Sequence, residues 1–213
     1  MKKLFALLLA AMLVISMAAC GETAVEPTTE PTTEPTVAPE PIGTLYVSFG
    51  AVLELAYDAE GNALSITGTN ELGKSIADAN QNQLGKGCVF VLRTILRYAA
   101  DNNLLGDAKT MAVRVGAKEQ LPKENFLEEI QTDCQYLADE ECTGIRIIPL
   151  DGDKLDSSGN ITAATAKKLA SLFFAADETA VTGGEAAVDG IFTFVCGENS
   201  CTVDAFNGLV TKK

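Results

Sequence analysis

The stretch LYVSFGAVLEL, Leu45 to Leu55, reads as β from end to end, yet holds Gly50 where a strand would carry a side chain. Glycine inside a strand marks a bulge, a tight bend or a close backbone approach. A bend is expected here, with a strand on either side. Read outward, three short β runs open the domain: TLYVSFG, VLELAYD and ALSITGT, the last two joined by the turn AEGN.

Alternation is lost after Gly73 and a helical period begins in GCVFVLRTILRYAADNNLL, where Val91, Leu92, Ile95, Leu96 and Ala99 share a face. TMAVRVG reads as a strand. Pro122 and Glu124 are expected to start a helix burying Phe126, Leu127, Ile130, Cys134 and Leu137. At its end Asp139, Glu140 and Glu141 oppose the helix dipole, so the last turn is expected to fray. GIRIIPL is a further strand. Beyond it, ITAATAKKLASLFF has a Thr162 cap and a stripe of Ala166, Leu169, Ala170 and Phe173, before the closing runs GIFTFVC and CTVDAFNGLV. The fold class expected is α+β: two small modules, at 43–150 and 160–213, each mixing helices with a largely antiparallel sheet, joined by a linker at 151–159.

The N-terminus has Lys2 and Lys3, an apolar run from Leu4 to Met17, then small residues before Cys20. That is an export signal at 1–19, and the run is short of the roughly 20 residues a bilayer core needs. Ala18, Ala19 and Cys20 resemble the lipobox of bacterial lipoproteins, which implies lipidation of Cys20 at the extracytoplasmic face. Residues 20–42, rich in Thr, Pro and Glu, have almost nothing to bury and read as a tether that spans roughly 60 Å if stiff. Loss of Lys2 and Lys3 with the signal takes the formal charge from -13 to -15. A chain this acidic repels phosphates, which argues against nucleic acid and anionic headgroups as partners.

Five cysteines remain. Cys196 and Cys201 flank GENS, where a hairpin disulfide is feasible; Cys134 and Cys142 are a second pairing, and Cys88 is left as a buried apolar residue. Connectivity stays open, because spacing alone does not determine it. Asp151, Asp153 and Asp156 invite a calcium-loop reading, but Leu155 falls on a ligand position and no glutamate follows at the twelfth place. A polar linker is preferred and no metal is expected. The chain has no histidine, which removes the commonest general base and most nucleophile pairs and zinc sites. Serine–lysine pairs remain, for example Lys74 with Ser75 or Lys168 with Ser171. The latter two, three apart on a helix, read as solvent-side residues. No catalytic residue and no cofactor is assigned.

Between Leu45 and Val115, LEL at Leu53 to Leu55, YDAEGNALSITGTNELGK, ILRYAADNNLL and TMAVRVG resemble, in order and spacing, the extracytoplasmic domain of RsgI-type anti-sigma factors from Firmicutes. In that family a D-x-N-P-S motif precedes the second strand, and the chain cuts itself between Asn and Pro. The aligned residues here are Ser48, Phe49, Gly50, Ala51 and Val52. Gly50 has no side-chain nucleophile and Ala51 provides an ordinary secondary amide, so Gly50 and Ala51 form a degenerate cleavage site that is expected to stay intact.

From Asn160 to Lys213, ITAATAKKLA and the closing hairpin resemble a PepSY domain, with VDAFNGLV (Val203 to Val210) matching its terminal VDAxTGxV except for Asn207. That family is associated with extracytoplasmic binding and, in some members, with restraint of peptidases. Together the resemblances imply a surface-anchored, non-enzymatic binding or sensing lipoprotein. The partner is an unknown protein or cell-wall ligand, with modulation of a secreted peptidase as the alternative.

Overall fold

Leu45, Val47, Leu53 and Leu55 alternate along two strands, β1 (Gly43–Ser48) and β2 (Val52–Tyr57), and all four are fully buried. With β3 (Ala63–Gly68) they form an antiparallel meander, as their alternation predicts. The computed structural model describes residues 38–213, apart from 117 and 142. The export signal, Cys20, the tether as far as residue 37, and Cys142 with its proposed pairing lie outside the described residues.

On the other side of β1 lies β4 (Thr110–Val115), antiparallel to it, and then β5 (Arg146–Pro149), giving the order β3-β2-β1-β4-β5. β4 and β5 are parallel. A parallel pair needs a crossover, and the third helix of the chain supplies it. Three helices line the sheet: α1 (Glu71–Ala79), α2 (Cys88–Asp101) and α3 (Phe126–Glu140). Their apolar stripes, including Ile76, Val91, Leu92, Ile95, Phe126 and Ile130, join the inward strand residues in one core. α1 is absent from the sequence reading. It is short and mostly polar, but Asn70 caps it by accepting from Gly73 N at 2.8 Å.

The last turn of α3 does not fray as expected. The helix runs to Glu140, and Glu141 meets Arg97 Nε of α2 at 3.2 Å, a cation that offsets the unfavourable dipole.

The second core lies under a four-stranded antiparallel sheet, β6 (Thr182–Gly183), β7 (Ile191–Cys196), β8 (Asn199–Asp204) and β9 (Val210–Lys212), in that order. Phe192, Phe194, Cys201 and Val203 pack on Ala166, Leu169 and Ala170 of α4 (Ala163–Phe174). Thr162 caps α4 as anticipated, its Oγ1 accepting from Thr165 N. Phe173 is only half-buried. The mixture of helices with two mostly antiparallel sheets is α+β.

β4 connects the two cores. All six of its residues are buried. Met111, Val113 and Val115 face the first core, while Ala112 belongs to the second. Gly208 approaches so closely that a Cβ there would lie 3.0–3.2 Å from Leu150, Ala112 and Leu169. The edges of the first sheet are closed by glutamines. Gln81 Nε2 donates to Ile66 O of β3 at 2.8 Å. On β5, Gln135 Oε1 accepts from Ile147 N at 2.9 Å and its Nε2 donates to Ile145 O at 3.2 Å. These amides occupy groups that an added strand would otherwise pair with.

Candidate functional site

Phe49, Gly50 and Ala51 make a three-residue turn between Ser48 and Val52, which face each other in register. Phe49 and Ala51 are buried, so their side chains fix the turn from below while Gly50 stands exposed. Phe49 N donates to Ala51 O at 3.0 Å. Gly50 has φ +95, a conformation that side-chain-bearing residues rarely adopt. This is the physical reason for glycine in the middle of LYVSFGAVLEL.

Asn70 binds the turn from outside. Its Nδ2 donates to Gly50 O at 2.8 Å, while its Oδ1 accepts from Val52 N at 3.0 Å and from Gly73 N. One side chain thus joins the turn to the start of α1. From the other direction Ser48 Oγ donates to Asn207 O at 2.8 Å, tying the strand before the turn to the β8–β9 loop. Gly50 and Ala51 are therefore adjacent in a well-braced turn that presents no nucleophile. Asn70 escaped the sequence reading as a site residue, although its place before Glu71 is a capping signal.

The β8–β9 loop is held by a second contact. Arg114 is 1% exposed; its Nη1 donates to Phe206 O and its guanidinium lies 4.2 Å from the centroid of the Phe206 ring. Tyr46 meets the same ring edge-on at 5.0 Å. Burial lowers the Arg114 pKa, opposed by Tyr46, Asp204 and Glu119. The Phe206 and Asn207 carbonyls of the VDAFNGLV turn are thereby engaged within the chain.

Cys196 and Cys201, for which a hairpin disulfide is feasible from the sequence, are both free thiols in the structure. Their turn is only two residues, Gly197 and Glu198, so Cys196 faces Asn199 and Cys201 faces Phe194. The two thiols are diagonal neighbours, and such positions sit about 7–8 Å apart, beyond the usual bridging span. Burial pushes the Cys201 thiol up to about 11. Cys88 and Cys134 are raised to about 12, by burial first and then by Asp58 and Asp133 respectively. Thiols so disfavoured as thiolates are poor nucleophiles.

Ser171 is not on the solvent side. It is buried, and its hydroxyl donates to Lys168 O at 2.8 Å. Lys74 and Ser75 are exposed. Asp156 serves a turn: its Oδ1 accepts from Ser158 N and Asn160 N, and its N–H donates to Asn160 O at 2.7 Å. DAEGN at Asp58 to Asn62 has the same pattern, with Asp58 Oδ1 accepting from Glu60 N and Asn62 N. Both loops place their glycine at φ +81. Among the described residues no group of three or more His, Cys, Asp or Glu gathers as for a metal, and no helix is long and apolar enough to cross a membrane.

Compared with protein-family models and with curated proteins, the chain matches none.

Proposed function

We propose that the chain is a surface-anchored lipoprotein that acts by binding or sensing, RsgI-like in its first part but unable to cut itself, and PepSY-like in its second. The observation that carries this reading is the Phe49–Ala51 turn, which keeps a hairpin geometry while offering glycine and a secondary amide where the resembled family has its reactive pair. Peptidase modulation through the VDAFNGLV turn is the weaker reading, because the Phe206 and Asn207 carbonyls are engaged with Arg114 and Ser48.

Capture from a surface extract with the full exported chain as bait tests the reading. A defined surface protein or wall polymer should be retained without being altered. Catalytic turnover abolished by alanine at a single serine or acid would overturn it, and recovery of a secreted peptidase would transfer support to the modulator reading.

A further inference from the structure

The helical layer holds a cleft that takes no part in the hairpin turn or in the joint between the cores. Phe90, Arg93, Thr94 and Arg97 line it from α2 and Leu137 from α3, around a cavity of about 250 Å³. Pockets for whole small-molecule ligands run about 300–1,000 Å³, so this recess suits one or two side chains.

Its chemistry is unusual for this chain. Among the described residues no acidic side chain lines it, in a protein of formal charge -13. Arg93 and Arg97 are four apart on one helix face, a like-charge pair that weakens an isolated helix. Glu141 answers Arg97 at 3.2 Å, but Arg93 makes no ion pair among the described residues. Phe90, 52% exposed, stands beside it with Lys86 Nζ 5.0 Å from its ring centre. A neighbouring cleft shares Phe90 and Arg93 and contains Glu60, Glu129 and Asp133, of which Glu129 is bound by Lys123. Arg93 is thus a half-buried cation on the ridge between a mixed-charge recess and an acid-free one.

The arginines select an anion, and the apolar walls select its neighbour. Phe90 and Leu137 gain nothing from a polyol phosphate, whereas a peptide can set an aliphatic or aromatic side chain next to a carboxylate. We propose that the α2–α3 cleft docks an acidic peptide segment: a Glu or Asp carboxylate pairs with the Arg93 guanidinium while the adjoining apolar side chain packs on Phe90 and Leu137. This rests on the reading of the chain as a binding module and names the chemistry of its partner.

The test is fluorescence anisotropy of the full exported chain with a labelled Gly-Glu-Leu-Glu-Leu-Gly peptide, its Gln-for-Glu analogue and polyglycerol phosphate. The Glu peptide should bind saturably, weakening about tenfold in Arg93→Gln and in Phe90→Ala, with little binding of the other two probes. Both residues reach solvent, and circular dichroism should show each variant folded. No binding, equal binding of the Gln analogue, preference for polyglycerol phosphate, or undiminished binding by Arg93→Gln overturns the proposal. Repeating the surface capture with Arg93→Gln separates the two readings: a partner still retained by that variant sinks the cleft and leaves the binding reading standing.

Discussion

Arg114 on β4 and Phe206 in the β8–β9 loop are joined twice, by a hydrogen bond to the Phe206 carbonyl and by a guanidinium 4.2 Å from the ring centre. Arg114 Nε has no hydrogen-bond partner, and among the described residues no carboxylate forms an ion pair with the group. Buried charge without a close ion-pair partner is costly, and replacing it by an apolar group of similar shape is often neutral or stabilising. Arg114→Met should therefore change stability by less than about 1 kcal/mol, while Arg114→Ala, which also leaves a cavity, should cost about 2–4 kcal/mol. Urea unfolding of the two variants checks this, and a large loss in the methionine variant would assign the guanidinium a net stabilising role.

The Asn70 contacts give a graded expectation. Asn70→Ala removes the cap and both turn contacts, with an expected loss of about 2–3 kcal/mol. Asn70→Asp retains the Oδ1 acceptor but replaces the donor to Gly50 O by a carboxylate oxygen facing that carbonyl, so about 1–2 kcal/mol is expected. Equal losses in thermal unfolding would show that the Gly50 contact outweighs the cap.

Much of the fold was legible because its signals are periodic. The β1–β2 bend was visible in one glycine, the buried face of α2 in five residues, and the α4 cap in Thr162. What stayed hidden depends on partners distant in sequence. Ala112 and Arg114 alternate with the first core's residues as solvent-facing positions would, but a second core covers them. The parallel pairing of β5 and the glutamines on its edge leave no local pattern. Asp189 and Gly190 were legible and went unread: Asp-Gly is a strong hairpin signal, and here both have positive φ and turn the chain between Val188 and Ile191.

Gln135 is expected to protect against pairing with another chain as well as to stabilise. Gln135→Leu frees Ile147 N and Ile145 O at the sheet edge. A loss of about 1–3 kcal/mol is expected, with concentration-dependent association that size-exclusion chromatography with light scattering would detect. A variant that stays monomeric at every concentration would show the edge to be covered by other means.

The thiols have a pH signature. For Cys88 and Cys134 the folded pKa is raised from 9.0 to about 12, so the fold favours the protonated form. Their contribution is fully present below pH 9 and is lost as pH rises from there through about 12. Unfolding free energy should fall over that window, and less steeply in Cys88→Ala or Cys134→Ala. In native protein at neutral pH iodoacetamide should label Cys196, which is partly exposed, while Cys88, Cys134 and Cys201 stay protected. A native chain in which Cys196 resists label until a reductant is added would instead restore the Cys196–Cys201 bridge.

The turn itself offers the most direct test of the RsgI-like reading. At Gly50 an added Cβ would meet only Leu72 Cδ2, at 3.9 Å, so space is available and the obstacle to a side chain is φ +95. Asparagine tolerates positive φ better than most residues. A proline at position 51 would give the tertiary amide on which cleavage in the resembled family depends. Gly50→Asn with Ala51→Pro should thus yield a chain that breaks between residues 50 and 51, seen by intact mass as a fragment beginning at position 51, while the parent chain and Gly50→Asn alone remain whole. If the double variant folds, by circular dichroism, and still stays intact, the turn lacks more than its reactive pair; Ser48, where the family has aspartate, is then the next residue to restore.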